Sequence, residues 1–66
     1  MSDFKLRLES EKVELDEKLS KLTSFLDSEK SDELEFNAKA LLIIQKNIMS
    51  GYSNVLGMRL KLLETK

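Results

Sequence analysis

Apolar residues recur at Phe4, Leu8, Leu15, Leu19, Leu22 and Leu26, a three-four spacing that lays them on one face of a helix. The stripe predicts an amphipathic helix over about residues 3–27. Glu11 and Lys12 stand where the stripe should continue between Leu8 and Leu15, so the first turns are expected to pack more loosely than the rest. On the opposite face, Glu14 to Lys18 and Glu17 to Lys21 are (i, i+4) pairs in the favourable order, which marks a solvated side.

The next stretch, Asp27-Ser28-Glu29-Lys30-Ser31-Asp32, has no apolar residue and is rich in turn formers, so the chain is expected to reverse over about residues 28–32. Asp32 followed by Glu35 has the form of a capping box that opens a second helix over about residues 33–64, with Ser28, Ser31 and Asn37 as alternative caps. A helix, a short turn and a second helix make one all-α unit, an antiparallel two-helix hairpin spanning residues 1–66.

The second helix is apolar over more of its circumference than one neighbour can cover. One stripe runs Leu42, Gln45, Met49, Tyr52, Leu56, Arg59 or Leu60, and Leu63; another runs Leu41, Ile44, Ile48, Val55, Met58 and Leu62. At the helical repeat the two lie about 100° to 120° apart. One can take the first helix and the other needs a further partner. Leu41, Ile44, Ile48, Val55, Met58 and Leu62 are therefore the expected oligomer interface, and the hairpin is expected to assemble with copies of itself into a homo-oligomeric helical bundle. Gly51 and Gly57 each cost about 1 kcal/mol relative to Ala inside a helix. Ser50, Gly51 and Ser53 form a small-residue zone where a backbone can approach closely or a ligand can sit.

Composition narrows the remaining possibilities. A chain of 66 residues is too short for a second domain, and at this size a hairpin needs a disulfide, a metal or a partner to fold stably. It has no Cys and no His, which leaves the partner, and which also removes Cys-His and Ser-His catalysis and the usual zinc ligands. No glycine-rich phosphate loop is present. The expectation is a binding protein with no catalytic residues, no metal and no cofactor.

Ala40 to Ile44 is the longest apolar run, far below the roughly 20 residues of a membrane span, and Met1-Ser2-Asp3-Phe4 does not read as a signal peptide. A cytoplasmic protein with no membrane partner is expected. The net charge of −1 disfavours duplex nucleic acid as a partner. It is unevenly spread: residues 39–66 carry Lys39, Lys46, Arg59, Lys61 and Lys66 against Glu64 alone, so the second half suits a small anion. Attraction between the acidic first half and the basic second half of the hairpin is the plainer use of the same asymmetry.

Gln45, Tyr52 and Arg59, each seven residues from the last, are the candidate ligand-binding residues. At heptad spacing they project in nearly one direction along the flank of the apolar surface. An amide, a flat ring bearing a hydroxyl and a forked cation together suit a nucleotide-like anion. The competing use is structural, with Gln45 fixing helix register and Arg59 reaching out to solvent.

The segment Leu41-Leu42-Ile43-Ile44-Gln45-Lys46-Asn47-Ile48-Met49-Ser50-Gly51-Tyr52-Ser53-Asn54-Val55-Leu56-Gly57-Met58-Arg59-Leu60, with the opening Phe4 to Lys12 and Leu22 to Phe25, resembles a family of small helical-hairpin proteins of tailed bacteriophages. More distantly it is similar to the hairpin module of phage anti-defence sponges that sequester cyclic-nucleotide immune signals. Gln45, Met49, Tyr52 and Arg59 are the matching positions; Ile48 and Val55 stand where that module carries further basic residues. The resemblance implies a non-enzymatic phage accessory protein that binds itself and a cyclic nucleotide or ADP-ribose-type signal in the host cytoplasm. The alternative is a small oligomeric module that blocks or bridges a host or phage protein through its apolar stripe, and a purely structural oligomer is the third.

Overall fold

The computed structural model describes residues 2–64. Two long helices, α1 (Ser2–Asp27) and α2 (Phe36–Glu64), lie antiparallel and are joined by a 3₁₀ turn, Glu29–Glu33. The hairpin is a rod of 48 × 14 × 14 Å.

The seam follows the heptads of both helices. Leu8, Leu15, Leu19, Leu22 and Leu26 of α1 meet Leu42, Met49, Leu56, Leu60 and Leu63 of α2, each buried or half-buried. Leu56 is completely buried and Leu8 is 4% exposed. The first turns are mixed: Phe4, the first residue of the stripe, is 50% exposed, as looser packing there implies, while Leu8 is held tightly. Lys12 takes a place in the seam, its ammonium 2.7 Å from Asp16 Oδ2 and 3.2 Å from Ser53 Oγ, while the Ser53 hydroxyl donates to Asp16 Oδ1. Charge and hydroxyl satisfy one another, so the polar residue costs the seam no unpaired group.

The reversal is held by serines. Ser28 Oγ donates to the Phe25 carbonyl at 2.6 Å, and the fully buried Ser31 shares its single hydroxyl proton between the carbonyls of Leu26 at 3.0 Å and Ser28 at 2.9 Å. The bonds to Phe25 and Leu26 occupy carbonyls in the last turn of α1, which have no helical partner. The Asp32–Glu35 capping box does not form. Leu34 is extended, with φ −77° and ψ 148°, which stops a helix from running through 33–35, and α2 starts at Phe36. Asp32 accepts from Lys39 Nζ at 2.8 Å instead.

The pairs Glu14–Lys18 and Glu17–Lys21 do not close. The ion pairs among the described residues are Lys12–Asp16, Lys39–Asp32 and Lys5–Glu64. Lys39–Asp32 sets a base of the second half against an acid of the first, whereas Lys5–Glu64 runs the other way and Lys12–Asp16 lies within α1, so attraction between an acidic first half and a basic second half accounts for one of the three. No helix among the described residues is long and apolar enough to cross a membrane.

Candidate functional site

One side of α2 closes the hairpin and the other faces outward. Leu42, Met49, Leu56, Leu60 and Leu63 turn inward, which settles the stripe that packs against α1. The second stripe is exposed along its whole length: Leu41 66%, Ile44 52%, Ile48 67%, Val55 46%, Met58 60% and Leu62 70%.

Gln45, Tyr52 and Arg59 run along the border between these two faces, all three exposed. Heptad spacing makes this inevitable, since each follows the half-buried or exposed members of both stripes by a fixed rotation. Tyr52 leans toward α1, where its hydroxyl donates to the Glu11 carboxylate. Gln45 Nε2 donates weakly to Met49 Sδ at 3.9 Å, one turn further along its own helix. Arg59 makes no ion pair among the described residues.

Electrostatics tie Tyr52, Glu11 and Arg59 together. The Glu11 hydrogen bond is the chief cause that raises the Tyr52 phenol above its ordinary value of 10.0, with desolvation and the Glu11 charge adding to it, while the nearby Arg59 guanidinium pulls the other way. Tyr52 is therefore a neutral phenol at any physiological pH. Its hydroxyl is taken and its ring, on a residue 43% exposed, remains presentable to a flat ligand.

A family model described as Sequestin matches residues 2–62. The chain belongs to the Sequestin family. No curated protein and no solved structure matches it. The match takes in both helices, the turn and all three border residues of this Sequestin-family hairpin.

The opposite flank of the Sequestin-family hairpin holds the polar cluster that the sequence reading missed. Lys12, Asp16 and Ser53 close a ring of hydrogen bonds across the seam. The Lys12 bond, then the Ser53 bond, hold the Asp16 carboxyl below its usual 3.8 against an opposing desolvation. The signal was present: Lys12 sits four residues after Leu8 and Ser53 four after Met49, both at seam positions of the heptad. Beside this ring, Lys12, Ser53, Asn54, Gly57, Met58 and Lys61 line a shallow groove of about 400 Å³. A Cβ at Gly57 would lie 3.3 Å from Lys12 Cε, a tight contact that the Lys12 stem could relieve only by shifting a few tenths of an ångström.

Of the small-residue zone, Ser53 faces α1 whereas Gly51 faces outward, with nothing within 4 Å of where its Cβ would be. The basic residues of the second half are divided: Lys39 pairs with Asp32, Lys61 lines the groove, and Lys66 lies outside the described residues. Lys46, Arg59 and Lys61 make no ion pair among the described residues, and Arg59 is the one whose charge acts on Tyr52.

Proposed function

We propose that this member of the Sequestin family binds and sequesters a small anionic signal of the cyclic-nucleotide or ADP-ribose type, without catalysis and as a homo-oligomer. The observation that carries the reading is Arg59: an exposed guanidinium without a carboxylate partner among the described residues, close enough to Tyr52 to shift its titration. A guanidinium offers forked donors to phosphate oxygens, and the Tyr52 ring offers a stacking face worth roughly 1 to 3 kcal/mol per base. Gln45, two turns before Tyr52, supplies amide donors and an acceptor for a base edge.

The family's description is in keeping with sequestration, and the resemblance to phage sponges supports a signal-type ligand. On that reading the chain is phage-encoded and acts in the host cytoplasm. Sequestration needs tight holding and no turnover, which suits a chain with no His or Cys.

The exposed stripe of α2 favours the second reading, a module that docks on a host or phage protein. Equilibrium dialysis against a panel of cyclic mono-, di- and trinucleotides and cyclic ADP-ribose isomers separates the two. Sequestration predicts that one panel member is retained at micromolar protein and released chemically intact on heating. Retention of none of them rejects it, and release of a cleaved product rejects the non-catalytic part.

A further inference from the structure

The outward face of α2 carries a heptad frame of its own. Leu41, Ile48, Val55 and Leu62 hold one position, and Ile44, Gly51 and Met58 hold the position three residues on. That is the a and d pattern of a coiled-coil seam, with Gln45, Tyr52 and Arg59 following at e. A helix with two seams has two neighbours. The first helix of this chain supplies one of them.

Two further observations say what the other is. The chain exposes 5304 Å², whereas a compact monomer of its 7.6 kDa exposes about 4300 Å². The excess, about 1000 Å², is on the order of the area that a stable pair of proteins removes from water. The second observation is Gly51, a d position near the middle of Phe36–Glu64. Nothing in its own chain lies within 4 Å of where a Cβ would be, so the hairpin itself does not require glycine there. A second helix crossing closely at that point does.

We propose that a second copy of this chain covers the face, α2 against α2, antiparallel about a two-fold axis near Gly51. A two-fold interface uses one patch twice, so the patch must complement itself. Antiparallel pairing about the helix midpoint does this, setting Leu41, Ile44 and Ile48 of each copy against Val55, Met58 and Leu62 of the other. Arg59 is the single charge among the a, d and e positions of the frame over residues 41–62. Antiparallel pairing holds the two Arg59 side chains about 25 Å apart along the axis, well past the screening length of about 8 Å, whereas parallel pairing would set them at the same level on either flank of the seam. It also brings Arg59 of one copy within about one turn of Gln45 of the partner subunit. Taken with the sequestration reading, on which this consequence alone rests, the ligand groove is completed by both copies.

The test needs no ligand, so its failure is distinct from that of the sequestration reading. The chain has no cysteine, so Asn37→Cys and Asn54→Cys, both on exposed positions of α2, each accept one spin label for pulsed dipolar spectroscopy. The antiparallel pair predicts an Asn54 separation under about 25 Å, from about 10 Å of axial offset plus label reach, and an Asn37 separation of about 40 Å or more. Gly51→Leu, whose Cβ has nothing of its own chain within 4 Å, should raise the dimer dissociation constant at least tenfold by sedimentation with helicity retained. Short distances at both labels would overturn the antiparallel arrangement. A helical monomer at 100 µM would overturn the second copy as occupant and leave the face to another protein. A Gly51→Leu chain that associates as tightly as the wild type would overturn the close crossing.

Discussion

Leu56→Ala deletes the one large apolar side chain that is completely buried among the described residues. Leu-to-Ala changes in packed cores cost about 2 to 5 kcal/mol, and the upper part of the range belongs to sites that cannot collapse. The seam at Leu56 is two helices thick and has water beyond it, so partial collapse is available and about 3 kcal/mol is the expected value. A chain of this length has roughly 3 to 10 kcal/mol of stability in all. A loss of 3 kcal/mol then lowers the melting temperature by about 12 to 24 °C, read by circular dichroism at 222 nm. Leu41→Ala removes the same atoms from a residue 66% exposed on the outward stripe. Its effect should be smaller and should fade on dilution as the wild type itself dissociates, because it touches only the contact between copies. Leu56→Ala should keep its deficit at every concentration. Equal, concentration-independent losses at the two positions would refute the assignment of inward and outward stripes.

Three further outcomes follow from named groups. Asp16 has a lowered pKa in the fold, so its stabilising share is complete above 3.8 and is lost as pH falls through the lower folded value; Asp16→Asn should flatten the acid limb of a stability–pH curve, and an unchanged limb would remove Asp16 from the account. The sole tyrosine, Tyr52, should titrate above 10.0 by ultraviolet absorbance, so any stability that its bond to Glu11 adds is present below that value and lost as pH rises through the folded one. Glu11→Gln should bring the midpoint down toward 10.0, and no movement would deny the Glu11 contact. Ile48→Asp places a charge on a residue 67% exposed in the single hairpin, so it should lower the assembled mass before it lowers helicity, and unchanged mass by sedimentation would show that the outward stripe is not the contact.

Periodicity made the hairpin legible because both helices repeat their apolar residues over at least three heptads, and Leu8 through Leu26 and Leu42 through Leu63 are the residues that meet. Two stripes on α2 were equally visible, but the choice between them was not, since Leu42 and Leu41 differ only in rotation. The choice depends on register with α1, which the Glu11–Tyr52 and Asp16–Ser53 pairs fix across the seam. Lys12 was misread as a gap in the stripe because a single residue's hydropathy does not reveal a partner 41 positions away. The capping box failed for a related reason. Asp32 had the right sequence offset from Glu35, but the buried Ser31 hydroxyl holds the chain in a 3₁₀ turn and Lys39 claims the Asp32 carboxylate. Spacing alone puts Gln45, Tyr52 and Arg59 on one flank, but it does not show that the Tyr52 hydroxyl is taken by Glu11 or that Gln45 turns to Met49.

The most direct test of the central claim is isothermal calorimetry of the wild type and Arg59→Ala with whichever cyclic nucleotide or ADP-ribose signal the wild type retains. Arg59 is exposed, so its truncation removes a charge and leaves the seam intact. Loss of a charge-assisted bond to phosphate is worth about 1.5 to 3 kcal/mol, a weakening of roughly 10- to 150-fold, with circular dichroism and oligomer mass unchanged. Affinity within twofold of the wild type, or a wild type that binds no member of the panel, would contradict the account.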